Sequence, residues 1–278
     1  METENRLFFD RERTGGMKQK QTAGVLSQRE AAPGIFDMWI ETSLAAEAAP
    51  GQFICVYPRD RSTLLPRPIS VCETDGQKGR LRVVYRVAGA GTREFSGYGP
   101  GEKISIMGML GNGFPLEAGL SLKQKEKDVF LIGGGIGIPP LVELAKRLRA
   151  ESIRIILGYR DGDLFLKEDL EKYGRVYVAT QDGSAGTRGN VMDVLAQEAL
   201  EAGVIYACGP MPMLRAVKTY ALEQGILAYL SLEERMACGV GACLGCVAKT
   251  TRPDAHSHVN NARICTEGPV FEAREVDI

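Results

Sequence analysis

Four of the seven cysteines crowd into one stretch near the C-terminus: Cys238, Cys243 and Cys246, then Cys265 after a longer gap. Cys-x4-Cys-x2-Cys with a distant fourth thiol is the spacing that holds a single plant-type [2Fe-2S] cluster. Gly239, Gly241 and Gly245 lie between these cysteines, where the main chain must wrap closely around the sulfurs and leave its N–H groups free to donate to them. A structural zinc site of four thiolates is the alternative. Such sites usually show two Cys-x2-Cys hooks, and only one pair has that spacing here. Cys55, Cys72 and Cys208 are scattered among apolar neighbours, and Cys55 and Cys72 read as small buried hydrophobes.

A second set of residues could hold a flavin. In Arg67-Pro68-Ile69-Ser70 the odd separation of Arg67 and Ser70 sends them to opposite faces of a regular strand. Both reach one ligand only if it wraps the strand end, with Arg67 on a diphosphate and Ser70 on a phosphate or a ring atom. Val84-Tyr85-Arg86 on a later strand, and the turn Gly89-Ala90-Gly91-Thr92, whose N–H groups could cradle a diphosphate, complete a case for FAD. Tyr85 read alone is an ordinary core aromatic.

A third set suits a nicotinamide dinucleotide. Gly133, Gly134, Gly135 and Gly137 end the apolar run that starts at Val129, and Pro139-Pro140 opens a helix. A phosphate can approach bare backbone at the positive helix end, although the pattern is not the G-x-G-x-x-G fingerprint. Glycines that merely let strand and helix pack closely are the competing reading. Cys208-Gly209-Pro210 ends a later strand, and the switch-point rule expects both loops to line one site. His256 and His258, the two histidines, sit in a polar stretch and receive no metal role. Nothing resembles a nucleophile with a matched base, so the chemistry belongs to cofactors.

These residues need three kinds of scaffold, and the fold class is multidomain α+β. From about Lys20 to Pro115, short β-rich runs such as Phe53–Tyr57 and Leu81–Val87 alternate with Gly and Pro turns, the rhythm of an antiparallel barrel. From Asp128, runs at 129–132, 153–157, 176–179 and 204–207 each precede a helix or loop, which implies a doubly wound α/β domain. Helices are expected over Pro139–Arg149, with Leu141, Leu144, Ala145 and Leu148 on one face, and over Asn190–Glu201. The charged stretch Lys123–Lys127 reads as a linker. The expected divisions are a flexible lead over 1–20, an FAD barrel over 21–118, a NAD domain over 119–229 and a cluster module over 230–278. That last piece is too small to fold without a metal-type staple.

Lys plus Arg total 34 against 35 acidic residues, so no overall field draws nucleic acid or an anionic membrane. The charged N-terminus lacks the apolar core of a signal peptide, and no apolar run approaches the ~18 residues of a membrane span. A cytoplasmic protein with reduced thiols is expected, not a disulfide framework.

The order of R-P-I-S barrel, G-G-G-I-G and C-G-P domain and cysteine-rich end resembles the ferredoxin-NADP reductase superfamily. Glu233 to Cys246, reading E-E-R-M-A-C-G-V-G-A-C-L-G-C, is similar to the cluster segment of dihydroorotate dehydrogenase B electron transfer subunits, with a resemblance covering roughly Gln21 to Ile278. It implies FAD contacts at Arg67, Pro68, Ile69, Ser70, Val84, Tyr85, Arg86, Gly91 and Thr92, and cluster ligands at Cys238, Cys243, Cys246 and Cys265. Ferredoxin reductases carry a flavin-stacking aromatic where this chain has Ile69, which leaves Tyr85 to supply the ring contact. The resemblance further implies an FMN-bearing catalytic partner in a two-plus-two heterotetramer. Electrons from dihydroorotate would pass through cluster and FAD to NAD+ in the pyrimidine (UMP) biosynthesis step that makes orotate.

A subunit of an NADH-dependent ferredoxin:NADP oxidoreductase or of a sulfide dehydrogenase shares this domain order but tends to use Asp as its first cluster ligand, against Cys238. A redox sensor without turnover is a rival of a different class. Gly158-Tyr-Arg-Asp-Gly162 sets an acid beside the one basic candidate for a 2′-phosphate, Arg160, and so favours NAD over NADP. Purified anaerobically, the chain is expected to be brown-yellow, with about one FAD, two irons and two acid-labile sulfides, because four thiolates fit one cluster. Elemental and sulfide analysis checks this, and zinc without sulfide rules it out.

Overall fold

A computed structural model describes residues 20–120, 128–148, 152–253 and 258–278. The lead before Lys20, the Lys123–Lys127 stretch, Arg149 and His256 lie outside the described residues.

Six antiparallel strands close a barrel in the order β1-β2-β5-β4-β3-β6. They are β1 (Lys20–Ala32), β2 (Ile35–Glu41), β3 (Phe53–Tyr57), β4 (Arg67–Asp75), β5 (Arg80–Arg86) and β6 (Lys103–Leu110). Period-two alternation decides what each side chain faces. On β3, Ile54 and Val56 join the barrel core, while Phe53 and Cys55 point away into a second apolar cluster. On β5, Leu81, Val83 and Tyr85 point in; Val84 packs instead against the following domain. The short α1 (Ala90–Phe95) follows β5.

The second sheet runs β10-β9-β8-β7-β11-β12-β15. Its strands are β7 (Asp128–Gly134), β8 (Ile153–Tyr159), β9 (Arg175–Thr180), β10 (Thr187–Arg188), β11 (Ala202–Cys208), β12 (Leu227–Ser231) and β15 (Val270–Glu272). All its pairs are parallel except β12 with β15. From β7 the chain builds outward to β10, then returns to β11 on the other side of β7, so the strand order reverses between β7 and β11. After α2 (Leu116–Leu120), the helices α3 (Pro140–Leu148), α4 (Lys167–Glu171), α5 (Val191–Gln197) and α6 (Met211–Glu223) connect the strands. In α3 the residues Leu141, Leu144, Ala145 and Leu148 form the buried face, as their spacing predicts.

One sequence expectation changes here. The helix expected over Asn190–Glu201 starts on cue, because the Asn190 side chain accepts from Met192 N at 2.8 Å and Asp193 reaches back to Asn190 N at 2.7 Å. It stops at Gln197, and Ala199 then takes a left-handed φ of 46° that no helix continues through. The C-terminal stretch contributes strands to two sheets. The pair β13 (Val247–Lys249) and β14 (Asn261–Arg263) stands apart, but β15 returns to the sheet and pairs with β12 through Tyr229↔Glu272 and Ser231↔Val270.

The two large units are clamped together by buried polar contacts. Glu143 of α3, only 1% exposed, accepts from Thr74 N at 2.9 Å, from Thr74 Oγ1 at 3.0 Å and from Arg147 Nε at 2.6 Å. Arg82 of β5 binds Asp37 through two nitrogens at 2.9 Å each and reaches Asp169 of α4 at 3.1 Å. Glu143→Ala leaves the Thr74 N–H and hydroxyl without their carboxylate partner in the junction, while the half-exposed Arg147 turns to solvent, and is expected to cost ~1–3 kcal/mol. A lowered denaturant midpoint with unchanged slope checks this.

Candidate functional site

On the flavin side, Arg67 opens β4 at the barrel rim and lays its guanidinium along Gly91. A Cβ on Gly91 would meet Arg67 Nε at 2.9 Å, so this turn admits the cation only because it is bare. The Thr92 hydroxyl is already engaged: it accepts from Ala88 N at 2.9 Å and Gly89 N at 3.1 Å and donates to Gly89 O. Thr92 therefore holds the shape of the turn. Arg86 reaches across to the second domain, where its guanidinium would lie 3.5 Å from a Cβ on Gly135.

Ile69 is buried in the barrel core. Tyr85 is 3% exposed, stacks on Phe36 with centroids 6.0 Å apart and donates to Gln28 Oε1 at 2.8 Å. Burial pushes its phenol above the ordinary range. The Tyr85 ring, to which the resemblance assigns the flavin contact, is thus packed inside the barrel and not at its surface. Pro68 and Ser70, out of phase with Ile69 on β4, are only half-buried.

On the nucleotide side, the loops after β7 and β11 interlock at the switch point. A Cβ on Gly137 would lie 2.5 Å from Cys208 O and from Gly209 Cα and N, and one on Gly134 would lie 3.0 Å from Pro210 Cδ. Gly133 serves strand-helix packing instead, since its Cβ would meet Leu141 at 2.8 Å. Met213, absent from the sequence reading, plugs the back of both loops: its sulfur would be 2.7 Å from a Cβ on Gly134 and its methyl 2.5 Å from one on Gly209. Its place one turn into α6, three residues after Pro210, was the available signal. Burial raises the Cys208 thiol to about 12 although it hydrogen-bonds Ser231.

The cysteine loop aims backbone N–H groups at its sulfurs, although among the described residues no three metal-ligating side chains stand together closely enough to hold a metal ion as placed. Val240 N and Ala242 N donate to Cys238 Sγ at 3.5 and 3.3 Å, Gly241 N to Cys265 Sγ at 3.2 Å and Gly245 N to Cys243 Sγ at 3.4 Å. Backbone donors aimed at sulfur are what negatively charged thiolates require. As a free thiol, Cys238 is pushed up by burial, but the N–H groups of Val240, Cys243 and Ala242 more than reverse this, to about 7. Cys265 rises to about 12, through burial and then its contact with Cys246. The set runs from surface to interior: Cys243 is exposed, Cys238 half-buried, Cys246 and Cys265 buried. A fifth sulfur, Cys55, borders it: a Cβ on Gly239 would lie 2.9 Å from Cys55 Sγ. Burial, with Cys238 and Cys246 nearby, lifts the Cys55 thiol to about 12.

A closed barrel, a parallel sheet with paired glycine loops at its switch point and a four-thiol loop define a ferredoxin-reductase-type oxidoreductase with an iron-sulfur module attached. Residues 233–277 match the iron-sulfur cluster binding domain of dihydroorotate dehydrogenase B, and residues 131–219 the oxidoreductase NAD-binding domain. The chain belongs to the family of dihydroorotate dehydrogenase B electron transfer subunits, oxidoreductase components with FAD, a [2Fe-2S] cluster and NAD as cofactors.

Its relatives include the dihydroorotate dehydrogenase B (NAD(+)) electron transfer subunits of Bacillus cereus strain B4264 and Bacillus anthracis strain CDC 684. Each is 40% identical over 266 residues, covering 94% of this chain and 99% of the relative. Among solved structures, the NADH-dependent reduced ferredoxin-NADP oxidoreductase is similar with a TM-score of 0.80 at 29% identity, over 92% of this chain and 89% of that one. The ferredoxin reductase of carbazole 1,9a-dioxygenase, at 0.64 and 21% identity over 75% and 67%, shares the fold.

Gly137→Ala forces the two nucleotide loops apart at an overpacking cost of ~1–3 kcal/mol. It is expected to raise KM for NADH ~10-fold while FAD and iron contents stay at wild type, as steady-state kinetics and cofactor analysis would show.

Proposed function

We propose that the chain receives electrons from dihydroorotate, oxidised to orotate on an FMN-bearing catalytic subunit, and delivers them to NAD+ in pyrimidine synthesis in the cytoplasm, within a two-plus-two heterotetramer. When bound, the cluster carries electrons singly and the flavin exchanges them singly or in pairs, which joins a one-electron donor to NAD+. In this reading Cys238, Cys243, Cys246 and Cys265 hold the cluster within 230–278. Residues 21–118 hold FAD, with Arg67 against the diphosphate, Gly91 and Thr92 shaping the turn beside it, and Pro68, Ile69, Ser70, Val84, Tyr85 and Arg86 lining the strands. Residues 119–229 hold NAD at Gly133, Gly134, Gly135, Gly137, Cys208, Gly209 and Pro210. The burial of Cys246 and Cys265 keeps water from the inner side of the cluster loop, and Arg86 beside Gly135 adds a cation where two anionic cofactors approach.

The observation that carries this reading is the apolar rim of the cluster loop. Leu244 is 63% exposed and Val240 42%, with Ala242 and Val247 exposed beside them. Leu244 also takes a left-handed φ of 56°, a conformation that costs a non-glycine residue ~1 kcal/mol or more. A loop that turns leucine outward next to the exposed Cys243 suits a face covered by the partner, where the electrons enter. The described residues contain no helix long and apolar enough to cross a membrane, so this rim has no membrane-spanning neighbour among them.

Leu244→Glu is expected to weaken association with an FMN-containing dihydroorotate dehydrogenase subunit ~10-fold or more and to slow dihydroorotate-to-NAD+ transfer, while NADH oxidation by dyes through FAD continues. Calorimetric titration of the two purified subunits measures the first effect. Wild-type affinity in the variant, or dihydroorotate oxidation by this chain alone, overturns the docking proposal.

A further inference from the structure

Cys55 belongs to neither the flavin set nor the four thiols, yet it stands between them. On β3 the neighbours Ile54 and Val56 fill the barrel, so the Cys55 side chain leaves through the barrel wall. It is 0% exposed, because the cluster loop covers it. A Cβ on Gly239, the residue directly after Cys238, would lie 2.9 Å from Cys55 Sγ, 3.4 Å from Leu110 and 3.7 Å from the Met107 methyl. Gly239 takes φ 71°, so glycine is required there both for the backbone conformation and for the close approach. Cys55, Met107 and Leu110 thus form a dry seat on the barrel's outer face, and the main chain beside the first thiol rests on it.

The other side of Cys55 leads to the flavin strand. In the sheet register Cys55 is paired with Pro68, and Val56 with Arg67. One contact separates Cys55 from the Cys238 loop, and one strand pairing separates it from Arg67-Pro68-Ile69-Ser70. Resting on the cofactor assignments proposed above, we infer that Cys55 is a positioning residue: its thiol seats the cluster loop on the flavin barrel and sets the gap across which electrons pass between cluster and FAD. Electron transfer through protein falls steeply with distance, so a seat one atom deep matters. A smaller side chain lets the loop settle or rattle, and a bulkier one lifts it.

The test uses the full chain purified without oxygen, as wild type, Cys55→Ala and Cys55→Val. FAD and iron contents are measured first; a wild-type chain without iron defeats the cluster assignment itself, independently of Cys55. The dithionite-reduced cluster is then examined by electron paramagnetic resonance, and its reduction after mixing with NADH is followed by stopped flow. Both variants are expected to keep FAD and wild-type NADH-dye turnover, to show shifted or broadened cluster signals, and to reduce the cluster ~10-fold more slowly, the lower end of what loss of an outer-sphere partner costs. Loss of iron with FAD retained also supports the seat. Wild-type spectra and cluster-reduction rates in both variants overturn the inference, as does loss of FAD along with iron in both, which would mark Cys55 as a general support of the strand.

Discussion

At Gly137 and Gly239 the main chain comes close to its neighbours because it carries no side chain of its own: at Gly137 two loops of the α/β sheet meet, and at Gly239 the cysteine loop meets the barrel. Groups that exchange electrons must be close, but a protein surface is normally spaced by side chains. Here the loop after β7 lies against the main chain of Cys208 and Gly209, and the loop after Cys238 lies against a cysteine sulfur on the barrel. Both approaches need backbone without Cβ. Both also need the two partner surfaces to be rigid. A closed barrel and a parallel sheet buried on both faces supply that rigidity.

Rigid units with bare contacts still need a fixed relative orientation. The buried polar clamp provides it. Glu143 and Arg82 satisfy several partners each from opposite sides of the junction. An apolar junction of the same area would tolerate sliding, whereas hydrogen bonds to charged groups in a dry setting are satisfied in one arrangement only. The clamp engages β4 and β5 of the barrel, and the cysteine loop rests on β3 and β6. The barrel is thus held by different units at different parts of its circumference.

The parts that the sequence made legible are those that local spacing controls. The four thiols, the glycine run at the end of β7 and the apolar face of α3 each follow from a period or a gap length. The parts that it hid depend on distant partners. Tyr85 and Ile69 turn inward because barrel closure sets the parity of β4 and β5. The early end of α5 comes from a single left-handed residue, Ala199, with no glycine to announce it. The three residues of β15 are too few to read as a strand until β12 lies beside them. Cys55 read as a filler because its neighbours are apolar, and only the cluster loop on the outer face distinguishes it from Ile54 or Val56.

The return of β15 to β12 has a consequence for the life of the cofactor. The cysteine loop is a long excursion whose two ends are pinned as neighbouring strands of one sheet. Closing a loop of that length carries an entropic cost that grows only slowly with each added residue, and the strand pairing offsets part of it without help from a metal. Metal binding therefore has only to order the tip of a loop already closed at its neck. Neither the β12–β15 pairing nor the parallel sheet it extends draws on the cysteine sulfurs, so loss of iron disturbs the tip of the loop and not its neck.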